Sequence, residues 1–186
     1  LVYSRVRDFD AQGAYFHPLW QFQLMCLAGA FLTADLFNLF VCFEVMLIAS
    51  YGLMSYHAKH STHAYALRYV VLNLVGSAVF LIGIAILYGI LGTLNMADLA
   101  LKIAQAPADQ ALLLKTSAYL LLIVFLLKAA ILPFNLWLPI SYQAAPPVVA
   151  ALFTLLSKVG IYAIIRLTVL LFGANAGVVA STGSDI

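Results

Sequence analysis

The stretch FLLKAAILPFNLWLP, residues 125 to 139, is apolar except for Lys128 and Asn135, and it carries two helix breakers, Pro133 and Pro139. Proline inside a helix lacks the N–H that would bond four residues back and displaces the carbonyl there. For Pro133 that carbonyl belongs to Ala129, the neighbour of Lys128. Backbone groups freed inside a bilayer are tolerated only where protein or water satisfies them, and broken helices at mid-depth recur in ion paths. On this reading the lysine and the breaker belong together: the break opens polar, hydratable space beside an amine. The alternative is a kink that serves packing alone.

The rest of the chain supplies the membrane. Of 186 residues, 65% are hydrophobic and 9% charged, against about 25% charged in soluble domains. The net charge of +2 is too small to argue for nucleic acid or an acidic partner. Cys26 and Cys42 lie in apolar runs at a spacing that fits neither a metal site nor a disulfide framework. The sequence opens on the polar LVYSRVRDFD and stops abruptly, which predicts an internal piece of a longer protein forming one transmembrane domain over 1–186.

A spanning helix needs about 20 apolar residues. Five segments meet this: 16–34, 36–56, 64–91, 117–140 with its break at Pro133, and 145–172. The fold class is therefore all-α and polytopic, with a broken fourth helix. Residues 92–116 form the one long linker and carry a short amphipathic helix closed by Pro107. Arg5, Arg7, Lys59 and Arg68 fall on one side of the membrane. Asp35, the linker and the tail with Asp185 fall on the other. By the positive-inside rule the first side is cytoplasmic.

Three charges remain deep in apolar runs. Glu44 is the ninth residue of its 21, Lys128 the twelfth of its 24 and Lys158 the fourteenth of its 28. Position counting puts all three near mid-membrane on separate helices, as a row if the helices pack. A charge at the bilayer centre costs about 2.5–3.5 kcal/mol on insertion scales. Two unit charges ~4 Å apart attract by about 4 kcal/mol at an effective dielectric near 20, and desolvation can cancel that. A Glu–Lys pair could thus be a packing device. A third charge without a partner argues instead for a relay in which each group's protonation depends on its neighbours.

Other polar residues are weaker signals. His57, His60 and His63 could bind a metal, but with no carboxylate nearby they read as a solvated loop. Asn73 and Ser77, one turn apart, either line a path or bond a neighbouring helix. Arg166, near the outer end of its helix, is expected to snorkel. No GxGxxG, P-loop, CxxC or haem-type histidine pair occurs, so no redox cofactor is expected.

The segments GAFLTADLFNLFVCFEVMLIASYGL and KAAILPFNLWLPISYQAAPPVVAALFTLLSKVGIYAIIR resemble the antiporter-like membrane subunits shared by respiratory complex I and the Mrp-type cation/proton antiporters. The likeness is greatest to the D-subunit group of the Mrp type, and YVVLNLVGSAVFLIGIAILYGILGTLNMADL fits it as well. The resemblance implies two inverted five-helix repeats in a protein of about fourteen helices, of which this chain is the first. It implies that Glu44 pairs with the broken-helix Lys128, that Lys158 is the next lysine of the relay, and that a half-channel leads from the cytoplasm to Lys128. Complex I relatives often carry His, Asp and His where this chain has Asn135, Ile140 and Tyr142, which favours the Mrp group and leaves Asn135 as path lining at most.

The expected function is that of a proton-translocating subunit of a multisubunit Na+ or K+/proton antiporter in a bacterial plasma membrane. Its partners would be other membrane subunits, and it would do no bond chemistry. The alternative is a proton-pumping subunit of a complex I-like NADH:quinone oxidoreductase or membrane-bound hydrogenase. A scaffold that only holds partners is the third reading.

Overall fold

A computed structural model describes residues 15–55, 62–145 and 147–171. Arg5, Arg7, Lys59, His57, His60 and Asp185 lie outside the described residues. The elements are helices: α1 Phe16–Leu32, α2 Leu36–Ser55, α3 Thr62–Leu91, α4 Met96–Ala104, α5 Ala111–Lys128, α6 Trp137–Ala144 and α7 Pro147–Leu171, with single 3-10 turns at Ala108–Gln110 and Phe134–Leu136. Four of the described helices are long and apolar enough to cross a membrane, namely α2, α3, α5 and α7. With 17 residues, α1 reaches about 26 Å at 1.5 Å per residue, the short end of the spanning range. The expectation of five spans is thus met by four, with α1 at the limit.

The fourth span departs from its predicted bounds. It starts at Ala111 rather than residue 117, the apolar run ALLL at 111–114 carrying the helix past Lys115 and Thr116. It stops at Lys128, five residues before Pro133. The long linker is correspondingly shorter, and its amphipathic helix is α4, which buries Met96, Leu99 and Ile103.

The chain packs as antiparallel neighbours, α1 on α2, α2 on α3, α3 on α5, and α5 on α7. Small residues let the helices close. Gly29 faces Cys42 Sγ, and Gly52 faces the Leu19 side chain.

One end of the bundle is clasped. Asp35 caps α2, its Oδ1 accepting from Phe37 and Asn38 N–H at 2.8 and 2.9 Å. Asn95 caps α4 in the same way, accepting from Ala97 and Asp98. The two capping segments pair with each other: Leu36 N–H donates to Leu94 O at 3.0 Å and Met96 N–H to Ala34 O at 2.8 Å. Lys102 donates to Leu91 O, the half-buried C-terminal carbonyl of α3, and pairs with Asp98, each at 3.1 Å. The Lys102 hydrogen bond to the Asp98 carboxylate, with a lesser one from Thr93, holds that carboxyl below its usual range. Its contribution is therefore present above the ordinary carboxylate range and fades as pH falls through the lowered value. Removing the cap with Asn95→Ala should cost about 1 kcal/mol, read as a lower unfolding midpoint of the purified protein in detergent.

Arg166 belongs to the same end. Its Nη1 donates to Thr33 O and to Tyr162 Oη, the latter at 2.8 Å, and the guanidinium sits 5.7 Å from the Tyr162 ring. The guanidinium is held by the carbonyls left unpaired where α1 ends, which lie within its reach.

Candidate functional site

The break is built by the sequence after Leu126. Ala130 takes a left-handed conformation, φ 54°. Its N–H donates to Leu127 O, and Ile131 N–H donates to Leu126 O. These are the two bonds of a Schellman end. The Leu127 carbonyl also accepts from Trp137 Nε1 at 2.9 Å. The first tryptophan after the proline therefore ties the resumed helix α6 back to the end of α5. Pro139 falls in the first turn of α6 and Pro147 opens α7, both places where a missing N–H costs little. Glycine is the usual residue at the Ala130 position because it bears no Cβ penalty. Ala130→Gly should raise the unfolding midpoint, by about 1 kcal/mol of stability.

The last residue of α5 is Lys128, so its ammonium lies at a helix C-terminus, where positive charge is favoured. It is 6% exposed. Its Nζ donates to Ser77 Oγ at 3.4 Å, and Ser77 Oγ donates to Glu44 Oε1. Three helices thus contribute one amine, one hydroxyl and one carboxylate in an unbroken donor chain. No direct ion pair joins Glu44 to Lys128; among the described residues Asp98–Lys102 is the one ion pair. Lys128 also lies 5.5 Å from the Phe43 ring centroid.

A small cavity adjoins the amine, lined by Phe43, Met46, Tyr69, Asn73, Trp137 and Leu156 together with Lys128. Asn73 is buried and donates to Tyr69 O of its own helix at 3.0 Å. Asn135 lies on the turn Phe134–Leu136, half-buried, and does not line this cavity. Pro133 is exposed within the break.

Lys158 is not brought to the others. It is exposed on α7. The reason is angular. The face of α7 that meets the break is marked by Gly160, where an added Cβ would stand 2.5 Å from Ala129 N and 2.9 Å from the Lys128 carbonyl carbon. Two residues rotate a helix by about 200° and advance it about 3 Å. Lys158 therefore shares the depth of Lys128 and points the other way.

Two features escaped the sequence reading. The hydroxyls of Ser50 and Tyr69 meet at 2.7 Å between α2 and α3. Tyr69 precedes Asn73 and Ser77 at the same four-residue step, a signal present in the sequence. Gln23 is buried in α1, and neither end of its amide has a hydrogen-bond partner.

The transmembrane family described as NADH:quinone oxidoreductase/Mrp antiporter matches residues 33–182. The chain belongs to this family. The D subunit of a probable K+/H+ antiporter of Rhizobium meliloti is 47% identical over 184 residues, covering 99% of this chain and 34% of the relative. The D subunit of a Na+/H+ antiporter of Alkalihalophilus pseudofirmus is 48% identical over 164 residues, covering 88% of this chain and 33% of the relative. The solved Mrp complex from Dietzia sp. contains a chain that superposes with a TM-score of 0.75 at 38% identity, covering 83% of this chain and 29% of that one. The chain thus spans about a third of the length of the curated relatives it matches, and it is a multi-pass member of the NADH:quinone oxidoreductase/Mrp antiporter family.

Proposed function

We propose that this chain is the proton-translocating part of a multisubunit Na+ or K+/H+ antiporter in a bacterial plasma membrane, working with other membrane subunits. The observation that carries the reading is the donor chain Lys128–Ser77–Glu44 beside a broken helix. A fixed Glu–Lys bridge would hold both charges in one place. An interposed hydroxyl, which both accepts and donates, lets the amine and the carboxylate sense each other while leaving the amine free to give up its proton. Supporting the antiporter over the redox alternative are the two antiporter relatives from Rhizobium meliloti and Alkalihalophilus pseudofirmus.

Lys158 is the onward lysine in this reading. A charged side chain facing lipid at mid-depth is costly, so the outward face of α7 is taken to be covered by protein of the same complex, to which Lys158 passes protons. The side on which α2 ends and α3 begins is the cytoplasmic one, and protons reach Lys128 from there. The coarser functional test is direct. In vesicles carrying the complete complex and a preformed pH gradient, adding Na+ or K+ should dissipate the gradient. If the cations do nothing and proton movement follows only the addition of NADH or a quinone, the redox-driven alternative holds instead.

A further inference from the structure

Two polar contacts cross the α2–α3 seam in antiparallel register, Glu44 with Ser77 and Ser50 with Tyr69. On α3, Tyr69, Asn73 and Ser77 are all buried. At four-residue steps they drift by only about 40° each and climb about 12 Å in total, so they form one stripe running from Ser77 towards the α3 N-terminus. Beyond Ser77 in the other direction the seam is aromatic. Phe80 lies 5.1 Å from Phe125, 5.6 Å from Phe40 and 6.3 Å from Phe43, centroid to centroid. The polar stripe of α3 therefore approaches Lys128 from the side opposite these rings.

Among the residues whose burial is described, Tyr69 is the member of the stripe nearest the α3 N-terminus. Its ring is wedged between Trp137 at 5.5 Å and Phe153 at 6.5 Å. Ser50 has one hydroxyl hydrogen, which it donates to Leu47 O at 2.8 Å. In the Ser50–Tyr69 contact Tyr69 must then be the donor. Tyr69 lines the cavity that holds Lys128, and as the donor to Ser50 its oxygen keeps its lone pairs to accept from water. The ring fills the seam, and the hydroxyl offers a single oriented acceptor.

We propose that Tyr69, aimed by Ser50, is the positioning residue at the mouth of the path to Lys128, its hydroxyl holding the first water of the file while its ring bars a wider column. This rests on the proton-translocating reading above. The titratable or charged groups around it are Lys128 of α5, Glu44 of α2 across Ser77, and Tyr142 of α6; the α7 residue against its ring is Phe153.

The test uses the complete complex in vesicles, with proton transport measured while pH is varied on the side where α2 ends and α3 begins. Tyr69→Phe keeps the ring and removes the hydroxyl. It should slow transport about tenfold, the loss of one hydrogen-bonded partner, and should move the pH of half-maximal rate on that side but not on the other. Ser50→Ala should act in the same direction and add nothing in the double variant. Wild-type transport in Tyr69→Phe, alongside an inactive Lys128→Ala, overturns this proposal and leaves the function standing. So does a rate that falls only with the amount of assembled complex, its pH profile unmoved. Normal transport in Lys128→Ala removes the proton-translocating reading itself.

Discussion

Lys128→Ala should bring cation-coupled proton movement below about one per cent of wild type, the hundredfold or greater loss expected when the group that carries the proton is removed, while the complex still assembles. Assembly is spared because the substitution deletes a buried charge whose desolvation opposes folding, and the Schellman end and the Trp137 bond that hold the break use backbone, not the amine. Lys128→Met is the shape control: it keeps most of the packing against Phe43 and Trp137 and should be equally inactive. Glu44→Gln should fall nearly as far, because an amide can still accept from Ser77 but carries no charge for Lys128 to sense. Ser77→Ala should lose less, about tenfold, since water in the adjoining cavity can stand in for one hydroxyl. Gradient decay on adding Na+ or K+, normalised to assembled complex, measures all four. Wild-type rates in both Lys128 variants would leave the chain a scaffold.

The second large effect is structural and sits two residues from Lys158. In Gly160→Ala the new Cβ would lie 2.5 Å from Ala129 N, 2.8 Å from Ala129 Cα and 2.9 Å from the Lys128 carbonyl carbon. Every one of these is backbone, pinned by the hydrogen bonds of the break, so α7 itself must back away. We expect a loss of about 3 kcal/mol, the upper end for overpacking, seen as a depressed unfolding midpoint or failure to assemble. Two other glycines set the scale. At Gly76 the atom in the way is Leu127 Cδ2, 2.5 Å off, the free end of a side chain that can rotate, so Gly76→Ala should be milder. At Gly89 nothing lies within 4 Å, and Gly89→Ala should be neutral or stabilising by roughly 0.5–1 kcal/mol. Equal damage at all three positions would show that backbone contact is not what makes Gly160 special.

What the sequence disclosed divides along physical lines. That a break occurs was legible from Pro133, which cannot lie inside a regular helix, although the helix ends five residues before it, at Lys128. Its position was less so, since Lys128 ends α5 through an alanine in a conformation that alanine seldom adopts, which no propensity foretells. Depth was legible for Lys158, because counting residues along a helix measures height in a membrane. Azimuth was not, because it depends on which face of α7 meets α5, and that is set by Gly160, two residues on. Arg166 illustrates the same limit. Its height near one rim was readable, but the carbonyls it binds belong to α1, more than a hundred residues earlier in the chain. Asn73 and Ser77 stood out as polar letters in an apolar helix, whereas Tyr69 passed as an ordinary aromatic until its hydroxyl was seen against Ser50.

The phenylalanine cluster around Phe80 has a further bearing on how such a protein is insulated. A short circuit through one membrane protein drains the same voltage that every other transporter in the cell draws upon. Four interlocked benzene rings offer a hydronium ion neither solvation nor a bonded chain, so under the proposed function the cheap direction of travel from the amine would be lateral, parallel to the bilayer plane. A unit built that way can be coupled end to end with others like cells in a battery.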